Sequence, residues 1–158
     1  MDIRPMTRQD AHAIQAWTYE SPYDFYNQEP STEGLDELMA YQAVHDGTLM
    51  GFYCLGRFAQ VPNDTYVYDD TYVDLGLGMH PDRTGRGYGR TFVRLVMQEA
   101  AREGKPLRLT VAAFNERAIH LYERLGFQQV TSFEKGATRF LVMTRSSSVL
   151  FLVGLLSF

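Results

Sequence analysis

Glycines at alternate positions, Gly85, Gly87 and Gly89, stand between a strand pattern and a helix pattern, and they narrow the choice of folds more than any other part of the chain. Before them, Thr71 to Met79 reads as a strand that ends at Pro81. After them, Phe92, Val93, Leu95, Val96 and Met97 recur at helical spacing, which predicts a helix over about 87–103. Such a junction brings unpaired backbone N–H groups and the positive end of a helix dipole to one point, an anion site suited to phosphate or pyrophosphate. The glycines keep Cβ atoms out of the approach and permit positive φ. Arg83, Arg86 and Arg90 add charge at the rim. No Gly-Lys-Ser/Thr follows, and the spacing differs from Gly-x-Gly-x-x-Gly, so the nucleoside triphosphate and dinucleotide loops are excluded. Taken alone, the stretch also reads as an ordinary glycine-rich turn.

The rest of the chain supplies an alternating order of elements. Residues 2–6 alternate as a strand, and Thr7 with Asp10 starts a helix over about 8–18 that carries Ala11, Ile14 and Trp17 on one face. Tyr19 to Asn27 fits neither period and is a loop rich in aromatic rings. Ser31 starts a short helix through Leu38 and Met39. Tyr41 to His45 and Leu49 to Gly56 read as a hairpin around Asp46-Gly47. Beyond the glycine loop and its helix, Gly104-Lys-Pro106 is a stop. Leu107 to Ala113 is a strand, and Asn115 to Leu125 a helix with Ala118, Leu121 and Leu125 inward, closed by Gly126. Strands near 127–133 and 138–144 end the order with a hairpin around Lys135-Gly136. Hairpins at both ends and a crossover between them describe a mixed α/β fold.

A second motif lies in Asn115-Glu-Arg-Ala-Ile-His-Leu-Tyr-Glu-Arg-Leu-Gly-Phe127. Together with Thr84-Gly85-Arg86-Gly87-Tyr88-Gly89 it resembles the paired motifs of the GNAT superfamily of N-acyltransferases, whose acyl-CoA pyrophosphate loop reads Arg/Gln-x-x-Gly-x-Gly/Ala. Thr84 departs from the first position; one side-chain contact is then open to replacement by Arg83 or Arg86, while the backbone cradle is unaffected. The resemblance covers about residues 2–144. It implies the GNAT fold, a mixed, mostly antiparallel central sheet with flanking helices, and a single domain over 1–145 followed by a tail over 146–158.

What the resemblance implies for function is direct transfer of the acetyl group of acetyl-CoA, as co-substrate and without a metal, to a primary amine of a small molecule, peptide or protein. The cofactor-binding residues would be Leu77, Gly78 and Met79 through their backbone, then Thr84, Gly85, Arg86, Gly87, Tyr88, Gly89 and Arg90, and finally Asn115 and Tyr122. Asn115 is also a good N-cap, and capping alone would explain it. In the family the tyrosine matching Tyr122 protonates the departing thiolate; a phenol, neutral at pH 7, can do this, although a core tyrosine is the plainer role. A base must take the amine's proton. Asp74 matches a strand position often acidic in the family, and Glu20, Asp24 and His80 are further candidates. Glu20, Tyr23, Asp24 and Tyr26, with Trp17, Tyr19 and Phe25, either cage an ammonium by ionic and cation–π contacts or cover the core beneath a loop. The alternatives to an acetyltransferase are a non-catalytic acyl-CoA sensor or scaffold of the same fold, and an enzyme using a longer acyl chain.

Composition bounds these readings. The net charge of −4 argues against nucleic-acid binding and suits a cationic acceptor. A single cysteine, Cys54, in an apolar run allows no internal disulfide and favours a reducing, cytoplasmic setting. The charged N-terminus lacks the apolar stretch of a signal peptide. Val149 to Phe158 is apolar but far shorter than the roughly 20 residues of a spanning helix, so no membrane partner is expected. The tail either packs on a groove of this chain or of a neighbour, leaving a homodimer open, or has no role.

Overall fold

The computed structural model describes residues 1–146, so the tail and its expected packing lie outside the described residues. Among the described residues there are seven strands: β1 Asp2–Pro5, β2 Gln42–Asp46, β3 Thr48–Leu55, β4 Val73–Met79, β5 Leu107–Ala112, β6 Gln128–Lys135 and β7 Thr138–Arg145. Four helices, α1 Arg8–Gln15, α2 Thr32–Leu38, α3 Tyr88–Ala100 and α4 Glu116–Arg124, alternate with them in the order expected from the sequence. The strand order is β1-β2-β3-β4-β5-β7-β6. The β4–β5 pair is parallel, whereas β1–β2, β2–β3, β5–β7 and β6–β7 are antiparallel. By packing, the chain forms two units, one of Met1–Cys54 with Leu77–Val93 and one of Leu55–Gly76 with the residues from Arg94 on.

In the first unit, local chemistry sets the helix starts. Thr7 and Asp10 form a reciprocal capping box at α1, and the Ser31 hydroxyl accepts from the Gly34 N–H at α2. The helix expected over 8–18 ends at Gln15. Trp17 N–H donates to Ile14 in a tightened last turn, and the Tyr19 N–H goes to the Asn27 side chain at 2.7 Å instead of continuing the helical ladder. That early stop turns Trp17 into the core, where it joins Met6, Ala11, Ile14, Leu35, Leu38 and Ala43. The β2–β3 hairpin turns at Gly47, whose φ of +78° is the left-handed conformation glycine adopts without strain.

In the second unit, the α3 pattern ends in a short 3₁₀ turn over Ala101–Glu103 and a left-handed Gly104. Asn115 caps α4 by accepting from the Ala118 N–H at 3.2 Å. Tyr122 and Leu125 are buried, while Ala118 and Leu121, expected inward, are half-buried.

The polar centre of this unit is Arg108, a fully buried guanidinium on β5 beside Asp74 on β4. Arg108 Nε and Nη2 donate to the two Asp74 carboxylate oxygens at 2.6 and 2.8 Å. Nη2 also donates to the Asp69 carbonyl, and Nη1 to the Tyr66 hydroxyl. The rings of Tyr66, Tyr68 and Tyr72 lie 5.8, 4.9 and 5.0 Å from the guanidinium carbon. Burial works against the charge, but the hydrogen bonds and charge of Asp74 outweigh it, so the Arg108 pKa lies above its ordinary value. Removing one partner of a buried pair strands the other. Arg108→Ala is therefore expected to lower the unfolding free energy by about 3–5 kcal/mol, and Arg108→Met with Asp74→Leu by less, as read by urea denaturation.

Candidate active site

The glycine loop is built from the end of β4 onward. Its entry is a 3₁₀ turn, Pro81–Arg83, capped by His80, whose Nδ1 accepts from the Asp82 N–H. The Thr84 hydroxyl donates to the Pro81 carbonyl at 2.7 Å, so its one proton serves that turn. Gly85 and Gly87 have φ of +72° and +84°, and a Cβ at Gly87 would meet open space. Steric room is therefore not why Gly87 must be glycine; backbone conformation is. Tyr88 then opens α3, with Gly89 in its first turn, where N–H groups lack partners within the helix. Arg86 and Arg90 are exposed and have no ion-pair partner among the described residues. Arg83 is committed to Asp46, at 3.2 Å. Of the two arginines able to replace the missing first-position side chain, Arg86 is the one left available.

Leu77, Gly78 and Met79 form the end of β4. The register of β4 with β5 covers Val73 to Leu75, and these three residues lie beyond it. Gly78 is required by close packing: a Cβ there would lie 2.5 Å from the Phe52 ring. The Tyr19 hydroxyl donates to the Met79 carbonyl at 2.7 Å, and His80 N–H donates to Met50. Burial pushes the Tyr19 hydroxyl up to about 12, so it stays a donor through the neutral range. Tyr19 was legible only as one ring of an aromatic segment; its role as a strut under β4 depends on a partner 60 residues away in the sequence.

Most of the rest of that segment is exposed. Tyr23–Tyr26 forms a 3₁₀ turn with Tyr23 half-buried. Tyr26 packs edge-on against Tyr19 and Phe25, and the carboxylates of Glu20 and Asp24 face solvent. Trp17 is buried 5.1 Å from the His80 ring and belongs to the core. The first unit thus brings together the glycine loop, the end of β4 and, through Tyr19, the aromatic segment.

The second unit carries Asp74, Asn115 and Tyr122. Both oxygens of Asp74 are engaged by Arg108, and one also accepts from Gln60 at 2.9 Å. Arg108 was read only as part of a strand, and no local signal marks it as the partner of Asp74. Tyr122 is buried against Phe127, and its carbonyl accepts from the Phe127 N–H in the turn that ends α4. Beside α4 a groove of about 450 Å³ is lined by Ile119, Glu123, Phe127, Gln128, Gln129 and Met143, none of them a candidate site residue.

Comparison with known proteins agrees with this architecture. The model of the acetyltransferase (GNAT) family matches residues 7–127, and the chain belongs to that family. It is 32% identical over 85 residues to the 5-NmdU N-acetyltransferase of Pseudomonas phage PaMx11, covering 54% of each protein. It is 37% identical over 90 residues to a mycothiol acetyltransferase of Propionibacterium freudenreichii, covering 54% of this chain and 26% of that protein. The chain thus matches about half of one curated relative and a quarter of the other. Among solved structures, AAC(6')-Ib in complex with ribostamycin and Coenzyme A superposes with a TM-score of 0.75 at 15% identity, over 94% of both chains. A spermidine N-acetyltransferase chimera from Vibrio cholerae and hSSAT gives 0.66 at 20% identity, over 96% of this chain and 99% of that one.

The Tyr19 strut has a consequence for stability. Its folded pKa of about 12 exceeds the ordinary 10.0, so the folded chain holds the proton more tightly than the unfolded one. That contribution is whole below pH 10.0 and is lost as pH rises toward 12. Urea midpoints measured across this window are expected to fall less steeply in Tyr19→Phe than in the parent.

Proposed function

We propose that the chain is an N-acetyltransferase that uses acetyl-CoA and a primary amine of a small molecule, peptide or protein, with residues 1–145 acting as one catalytic domain. The observation that carries this reading is the glycine loop. Its two left-handed glycines, the open space at Gly87 and the first turn of α3 suit a pyrophosphate. The names of relatives and structural neighbours, N-acetyltransferases of several amines, support the reaction class.

The backbone N–H groups of Gly85 to Gly89 would hold the pyrophosphate, with Arg86 and Arg90 as cations beside it. Leu77 to Met79, beyond the register with β5, would offer backbone groups to the pantetheine arm as an added strand does, and Asn115 would do so from the cap of α4. When bound, acetyl-CoA supplies an acetyl group activated as a thioester. Tyr122 holds a proton at its hydroxyl for the sulfur that leaves. Asp74, with both oxygens engaged by Arg108, is a positioning group of the fold and not the base. The amine's proton passes instead to solvent on the side of the exposed carboxylates Glu20 and Asp24. These carboxylates and the Tyr26 ring suit a cationic amine. No metal enters this chemistry, and the single buried Cys54 fits a reducing, cytoplasmic setting.

Calorimetry with CoA and a free-thiol assay over an amine panel test the reading. Binding is expected in the parent and lost in Gly87→Glu with Gly89→Glu, whose carboxylates repel the pyrophosphate. Tyr122→Phe is expected to keep CoA affinity while kcat falls about a hundredfold. Absence of CoA binding in the folded parent would overturn it.

A further inference from the structure

Arg83 lies just before the loop, and its guanidinium is engaged by the β2–β3 turn. Nη1 donates to Asp46 Oδ2 at 3.2 Å, and Nη2 donates to the Asp46 backbone carbonyl at 3.1 Å. Nη2 also reaches the Thr48 hydroxyl at 3.5 Å. Its carbon stands 5.1 Å from the centre of the Tyr88 ring, the residue immediately after Gly87. One side chain, itself just before the glycine loop, therefore reaches Tyr88 within it and ties both to the β2–β3 turn. Asp46 is itself well placed to serve as an anchor. It pairs with Thr48 in the hairpin register, and its other carboxylate oxygen lies 3.8 Å from the Met1 amino group.

We propose that Arg83 is a positioning residue: with Asp46 and Tyr88 it clamps the glycine loop so that the Gly85–Gly89 backbone is ordered for a pyrophosphate before the ligand arrives. The inference rests on the CoA reading above and adds residues that the sequence pattern does not assign. The physical need is clear. Glycines lose more backbone freedom on ordering than other residues, and a loop that must be ordered by its ligand binds more weakly by that cost. A charged side chain held at 23% exposure and engaged by a carboxylate and a carbonyl is not available to a phosphate, whereas Arg86 and Arg90 are. Arg83 acts through geometry and the other two through charge.

The test is a double-mutant cycle on Arg83→Ala and Asp46→Asn, with two probes: CoA, and S-acetylpantetheine, which shares the arm and thioester but has no pyrophosphate. Calorimetric Kd for CoA is expected to rise about tenfold in each single variant and no further in the double, the coupling of two residues acting as one unit. Kd for S-acetylpantetheine is expected to stay at the parent value, as is the melting temperature. A CoA affinity that falls in Arg83→Ala but is unchanged or tighter in Asp46→Asn would overturn the proposal, because Arg83 would then be touching the phosphates itself. Equal losses for both probes, or no loss for either, would also overturn it. Failure of the folded parent to bind CoA at all would strike down the acyltransferase reading and the clamp with it.

Discussion

The buried ion pair of Arg108 and Asp74 is the interaction on which the second unit depends. Two charges withdrawn from water are costly unless nearly every donor and lone pair is satisfied. Arg108 meets that condition with two bonds to Asp74, one to the Asp69 carbonyl and one to Tyr66, inside a cage of three tyrosine rings. The long irregular stretch between β3 and β4 contributes most of those partners. Gln60 reaches Asp74, Val61 donates to the Tyr68 hydroxyl, and Tyr68 bonds Thr110. A segment with no regular backbone ladder of its own is thereby held against β4 and β5 by side chains. The acidic strand residue is needed for this, since both of its oxygens are engaged there.

The first unit solves a different problem. It combines an exposed glycine-rich backbone with contacts that hold that backbone in one conformation. Space is made by glycines, as at Gly51 and Gly78, which lie against the Phe92 and Phe52 rings and leave no room for a Cβ. Conformation is held by side chains that reach back from other elements: Tyr19 under Met79, the Thr84 hydroxyl on Pro81 and Arg83 on Asp46. Preorganisation of this kind strengthens binding without adding a contact to the ligand.

Much of this fold was legible because its signals are local. The capping residues Thr7, Ser31 and Asn115 and the left-handed glycines at 47, 104, 126 and 136 act over a few residues, and each marks a boundary where the structure has one. Departures came where a distant partner overrides a local pattern. The helical period through Trp17 is real, yet Asn27 takes the Tyr19 N–H and the core takes the indole, so α1 stops early. The inward face expected on α4 is shifted toward Tyr122, which is more deeply buried than Ala118 or Leu121.

The sequence by itself determined the order of elements, the glycine loop at the head of α3 and the family, since periodicity, caps and glycine spacing are properties of neighbouring residues. The tertiary structure alone decided which charged side chains are available. Asp74 and Arg108 are 34 residues apart, and Arg83 and Asp46 37. No local pattern shows that these are paired while Arg86 and Arg90 have no ion-pair partner among the described residues. The reason is that burial and ion pairing are set by what the sheet and its turns bring alongside, not by the residue's neighbours in the chain.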